Sequence, residues 1–126
     1  MSDAINFFHE NAWAAISIAS EVGANPILKT QNRIGLLELQ FEDIDKPNNS
    51  THLFFNSNQA QQILDFVEEH YNKIEVLLIH CHAGMSRSPA VAAAIDFIYT
   101  GHDSYWFKTK TPNMHVYRTI LNTKYQ

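Results

Sequence analysis

A single cysteine, Cys81, leaves no partner for an internal disulfide. With no basic opening followed by an apolar stretch of signal-peptide type, the expected setting is reducing and cytoplasmic. Cations are also scarce: nine Lys and Arg stand against thirteen Asp and Glu, for a formal net charge of −4. That balance cannot form a broad basic footprint, so neither nucleic acid nor an anionic membrane is an expected partner. The longest apolar runs, around 76–79 and 90–95, fall well short of a membrane span. Four glycines and four prolines leave no basis for a fibrous or low-complexity chain, and no internal repeat is visible.

What is present is an ordinary globular composition, 45% hydrophobic and 17% charged over 126 residues. That length supports one core, so residues 1–126 are read as a single domain, expected to be monomeric. Ile5, Phe7 and Phe8 form an apolar cluster too brief for periodicity to assign. Trp13 to Ile18 reads as a buried strand ended by the turn-prone Gly23 to Pro26, and residues 34–41 suit a second strand. A long polar loop from Glu42 to Asn58 follows, rich in turn formers. Ala60, Ile63, Leu64, Val67 and Tyr71 share one stripe of a helix that Ser57 or Asn58 can cap. Val76 to Ile79 is a short all-apolar run, the pattern of a central parallel strand covered on both faces.

Beyond His80 a seven-position loop leads into a helix with Pro89 in its first turn and Gly101 at its C-terminal stop. Thr111-Pro112 opens a last helix with Met114, Tyr117, Ile120 and Leu121 on its buried side. Alternating strands and helices imply an α/β fold with a mainly parallel central sheet and helices on both faces. The site is expected at the C-terminal end of the strand finishing at His80.

A strand, a short loop and a helix N-terminus in succession turn backbone N–H groups toward one point, which suits an anion. Gly84 permits positive φ or close backbone approach, while small Ala83 and Ser86 keep the ring open. There the N–H groups, the helix dipole and a guanidinium all favour a thiolate, making Cys81 a nucleophile. Arg87, six positions on, can circle back to clamp an anion with paired hydrogen bonds, and Ser88 can offer its hydroxyl to the sulfur. A cation at a helix N-terminus otherwise opposes the dipole, which argues that an anion lies between them. Adjacent His80, Cys81 and His82 point in opposing directions, so no metal is expected and no other cofactor is implied. His80 is read as a support for the loop and His82 as a residue of its rim. Asp96 and Asp103 look solvated, and Trp106 and Phe107 are candidates for either pocket mouth or core.

The segment His80-Cys-His-Ala-Gly-Met-Ser-Arg-Ser-Pro89 resembles the Cys-x5-Arg-Ser/Thr signature of cysteine-based protein tyrosine and dual-specificity phosphatases, and Pro112-Asn113 is similar to a Pro-Asn of the compact dual-specificity type. The resemblance implies a phosphate-binding loop in which His82, Ala83, Gly84, Met85, Ser86 and Arg87 hold substrate, with His80 and Asn113 in support. It implies hydrolysis of phosphotyrosine, and of phosphoserine or phosphothreonine as well, through a phosphocysteine, with a phosphorylated protein or small phosphomonoester as substrate. It also implies an aspartic acid upstream as general acid. Asp43 and Asp45 are the candidates, and Asp43 is preferred because Phe41-Glu42-Asp43 resembles the family's aromatic-x-Asp. The alternatives are a phosphate-binding pseudophosphatase, a rhodanese-like sulfurtransferase and a phosphoinositide phosphatase, the last disfavoured because no Lys occurs from Cys81 to Arg87.

Overall fold

A computed structural model describes residues 2–44, 53–82 and 84–126. The elements run α1 (Ser2–Asn6), β1 (Trp13–Ala19), β2 (Arg33–Gln40), α2 (Ser57–His70), β3 (Val76–His80), α3 (Arg87–Thr100), α4 (Ser104–Thr109) and α5 (Met114–Tyr125). The three described strands are parallel, in the order β2-β1-β3, with Ala14 beside both Gly35 and Leu77 and Ile16 beside Leu37 and Ile79. The fold is α/β with helices on both faces, as expected from the alternation. One detail differs. The fully buried strand is β1, which lies in the middle, while β3 lies at an edge of the described sheet with its first four residues only half-buried.

Strand alternation sorts side chains into two cores. Ile16, Ile18, Leu39 and the partly buried Leu77 and Ile79 face α2, α3 and α5, meeting Ala60, Ile63, Val91, Ala94, Val116 and Ile120. Trp13 and Ala15 on the opposite face pack with Leu28 and Ala4, joined by Phe7, Val76 and Leu78. The brief N-terminal cluster therefore has a role. Phe7 meets the Trp13 ring edge-on at 5.0 Å and covers the second face, whereas Ile5 and Phe8 stay exposed.

Other differences have local causes. Asn56, not Ser57 or Asn58, caps α2 by accepting from the Gln59 N–H, while the Gln59 side chain accepts from the Asn56 N–H in return. Tyr71 falls just past the end of α2 and is exposed, stacking on Tyr99, while His70 takes a buried place. There its Nε2 would lie 2.4 Å from a Cβ at position 35, so Gly35 is the residue that lets strand and helix approach. The polar loop contributes an apolar anchor as well. Phe55 is fully buried against Phe41, and the Glu42 N–H donates to the Leu53 carbonyl, drawing together residues on either side of 45–52.

Asp96 and Asp103 are not simply solvated. Asp96 accepts from Trp106 Nε1 and Thr100 Oγ1, and Asp103 accepts a short hydrogen bond from the Tyr117 hydroxyl. Burial, assisted by Asp103, pushes the Tyr117 phenol up to about 12. On α5 the fully buried residues are Val116 and Ile120, with Tyr117 and Leu121 partly covered. Among the described residues no helix is long and apolar enough to cross a membrane.

Candidate active site

The parallel strands end on the same side of the sheet, and residues just beyond each end meet around Cys81. β3 delivers His80 and Cys81, and α3 begins at Arg87 on the far side of the loop. Gly84 has φ +68°, the left-handed region in which a side chain is strained, so the loop turns at the residue best able to do so. Ser86 occupies the position before α3 but makes no side-chain cap, because its hydroxyl donates elsewhere. Ala83 and Asp45 lie outside the described residues.

Cys81 is only 2% exposed. Its Sγ lies 3.2 Å from Ser88 Oγ and accepts from the Ser88 N–H at 3.4 Å. Both contacts come from the first turn of α3, which aims the positive end of the helix dipole at the sulfur. Arg87 is 5% exposed, and its Nη1 donates to Ser20 Oγ and to the Phe41 carbonyl, each at 3.0 Å. Its Nε is buried without a partner among the described residues. Ser20 had no signal in the sequence. It qualifies only because it follows β1 as Phe41 follows β2.

Asp43 lies in the same constellation. Its Oδ1 accepts from Ser86 Oγ at 2.9 Å and from Asn113 Nδ2 at 3.0 Å. Asn113 is the hub of this side. The same Nδ2 donates to the Ile44 carbonyl, its Oδ1 accepts from the Val116 N–H to cap α5, and its own N–H donates to the Ser86 carbonyl. One step away, the Thr111 N–H donates to the Met85 carbonyl. The segment before α5 thus ties the Cys81 loop to the start of the Asp43 loop.

The remaining candidates separate. His82 and Met85 are exposed at the rim. His80 is 7% exposed, and neither ring nitrogen has a hydrogen-bond partner among the described residues, so no side-chain hydrogen bond from it supports the loop. Burial holds its imidazole below the usual histidine range, in the neutral form at physiological pH. Among the described residues no group of three or more His, Cys, Asp or Glu is arranged to hold a metal. Trp106 lines a groove that runs beside β3 and also takes in Cys81, Gly84 and Ser88.

This arrangement of a parallel sheet and a Cys loop at a helix N-terminus has the fold of the compact dual-specificity and tyrosine phosphatases. The chain is similar to human tyrosine phosphatase-like serine/threonine/tyrosine-interacting protein, with a TM-score of 0.64 and 18% identity over 90% of this chain and 77% of the other. It is also similar to a mouse putative dual specificity phosphatase solved with zinc tungstate, with a TM-score of 0.61 and 15% identity over 90% and 69%. A third likeness is to Cydia pomonella PTP-2 phosphatase, with a TM-score of 0.57 and 20% identity over 89% and 71%. No protein-family model and no curated protein matches the sequence.

Proposed function

We propose that the protein is a metal-independent phosphomonoester hydrolase of the dual-specificity type, acting on phosphotyrosine and on phosphoserine or phosphothreonine in proteins. Cys81 is the nucleophile, Arg87 the phosphate clamp and Asp43 the general acid. The observation that carries this reading is the Asp43 carboxylate hydrogen-bonded to Ser86, inside the loop that holds Cys81 and Arg87. A general acid has to be held beside the reacting group, and this contact keeps the Asp43 carboxyl next to the loop.

In the first step the Cys81 thiolate attacks phosphorus, an S–P bond forms as the ester P–O bond breaks, and protonated Asp43 gives its proton to the leaving oxygen. The backbone N–H groups of the loop and the Arg87 guanidinium stabilise charge on the equatorial oxygens. Arg87 is pre-positioned by Ser20 and Phe41, and its Nε has no partner among the described residues. In the second step water attacks the phosphocysteine, the Asp43 carboxylate takes its proton, and the S–P bond breaks. The Ser88 hydroxyl and N–H stabilise the returning thiolate.

Hydrolysis of para-nitrophenyl phosphate, inhibited by vanadate and absent in Cys81→Ser, is the expected result. A purified protein that binds phosphate without Cys81-dependent turnover would favour the rival, a module that holds a phosphorylated partner intact. That rival draws support from the likeness to the human phosphatase-like interacting protein. Turnover of thiosulfate in place of the phosphate ester would identify a sulfurtransferase.

A further inference from the structure

Nη1 of Arg87 carries two hydrogens and has two acceptors, the Ser20 hydroxyl and the Phe41 carbonyl, each at 3.0 Å. Two acceptors on one nitrogen fix the plane of the guanidinium, where a single one leaves it free to turn. The carbonyl belongs to the backbone and is the same whatever side chain stands at 41. Ser20 is therefore the side chain through which the sequence orients Arg87.

Its place is built from the strand ends. Ser20 is the first residue past β1, and the Phe41 N–H donates to the carbonyl of Ala19 at 2.9 Å, so the two acceptors are held on neighbouring strand ends. Asn25 folds the loop after Ser20 back onto the sheet. Its Nδ2 donates to the Ser17 carbonyl and hydroxyl, and its Oδ1 accepts from Gln40 Nε2 at 2.7 Å. The Gln40 carbonyl in turn accepts from Gln59 Nε2 in the first turn of α2. Ser20 itself is exposed, so its side chain serves no core.

Both acceptors are neutral. Glu21 follows Ser20 and Glu42 follows Phe41, yet the ion pairs among the described residues join His9 to Glu75 and His70 to Glu69, and none includes Arg87. A carboxylate in place of the hydroxyl would bond the guanidinium more strongly, but it would also offset its charge before an anion arrived. A hydroxyl orients the cation without neutralising it, and the N-terminus of α3, which begins at Arg87, adds partial positive charge beside it. The position therefore suits an anion carrying more than one charge.

We propose that Ser20 is a positioning residue whose neutral hydroxyl sets the plane of Arg87 and leaves the guanidinium charge uncancelled, so that the site selects a dianionic oxyanion over a monoanionic one of the same shape. This rests on Arg87 being the anion clamp of the hydrolase proposed above. Ser20 acts through Arg87 and touches no reacting atom.

The test titrates tungstate and perrhenate, a dianion and a monoanion of closely similar tetrahedral shape, into the whole protein by calorimetry and follows para-nitrophenyl phosphate hydrolysis in parallel. Ser20→Ala should lower kcat/KM by about tenfold and tungstate affinity by a similar factor, and Ser20→Thr should return both to within about threefold of the starting protein. Neither should move the melting temperature by more than about 2 °C, because the side chain is exposed. Ser20→Asp and Ser20→Asn differ in charge at almost equal size. Ser20→Asp should bind tungstate about 10²-fold more weakly than Ser20→Asn, and perrhenate only about tenfold more weakly, since a Coulomb energy scales with the charge of the anion. Unchanged affinity and turnover in Ser20→Ala overturn the proposal, as do equal losses of the two anions between Ser20→Asn and Ser20→Asp. If this charge-dependent binding is found but para-nitrophenyl phosphate is not hydrolysed, the hydrolase reading fails and the role of Ser20 stands. A protein that binds neither anion overturns both.

Discussion

The two flanks of the Cys81 loop are built in opposite ways. On the flank facing Asp43, polar side chains converge with short hydrogen bonds, through Ser86, Asn113, Arg87 and Ser20. On the flank facing β3's edge of the described sheet the walls are largely apolar, and His80 has no hydrogen-bond partner among the described residues. The first flank holds the geometry that the proposed chemistry demands. The second is a groove that reaches Cys81 and Ser88 at one end, and perturbing its far side near α1 should alter stability more than turnover.

The sharpest break in that contrast comes at the proposed nucleophile. Cys81→Ser should lower turnover of para-nitrophenyl phosphate by about 10⁴-fold or more while leaving the melting temperature close to its starting value, because serine is nearly isosteric and Ser88 remains to hydrogen-bond it. Arg87→Lys should cost on the order of 10²–10³ in kcat/KM, since an ammonium lacks the planar fork that can hold Ser20, Phe41 and phosphate together. Steady-state kinetics read both.

Asp43→Asn separates chemistry from binding on the same flank. With an alkyl phosphate, whose leaving oxygen needs a proton, kcat should fall by roughly 10²–10⁴-fold. With para-nitrophenyl phosphate the loss should be much smaller. An equal loss on both substrates would reject Asp43 as the acid, and retained activity on the alkyl ester would return the role to Asp45.

Asn113 joins that flank's geometry to fold stability. Asn113→Ala removes the α5 cap and both donations to the Asp43 segment. Cap loss alone is worth about 1–2 kcal/mol, so the melting temperature should drop by several degrees while kcat falls roughly tenfold. Asn113→Asp distinguishes the two roles. Aspartate is an equally good cap, so stability should largely return, but its carboxylate would face that of Asp43 and activity should not recover.

The legible part of the molecule was whatever is local in the chain. An apolar run, a Gly-containing loop and a helix with Pro89 near its start lie within a few consecutive turns, so β3, the Cys81 loop and α3 could be read as a unit. Asp43 needed the family resemblance, because its contact with Ser86 spans 43 positions and leaves no periodic trace. Ser20 was missed for the same reason, reaching Arg87 across 67 positions. The edge position of β3 was misread because a strand under helices on both faces has the same apolar pattern whether one or two strands flank it. Asn56 was overlooked as a cap because three successive residues, Asn56, Ser57 and Asn58, are all competent, and only Gln59's reach back to the Asn56 N–H decides among them.

The smallest expected effect tests the open flank through His80. Its folded form resists protonation because the ring is buried, whereas in the unfolded chain it takes up a proton near the ordinary histidine value of 6.5. Below that pH the unfolded state binds more protons than the folded one, so stability falls as pH falls and is fully present above it. The slope from this one group is bounded at about 1.4 kcal/mol per pH unit. Denaturant unfolding between pH 7.5 and 5.5 should therefore show a loss that His80→Gln reduces, since glutamine does not titrate. If the two proteins lose stability in parallel, His80 is protonated in the folded state, and the picture of a neutral, unpartnered ring on the open flank fails.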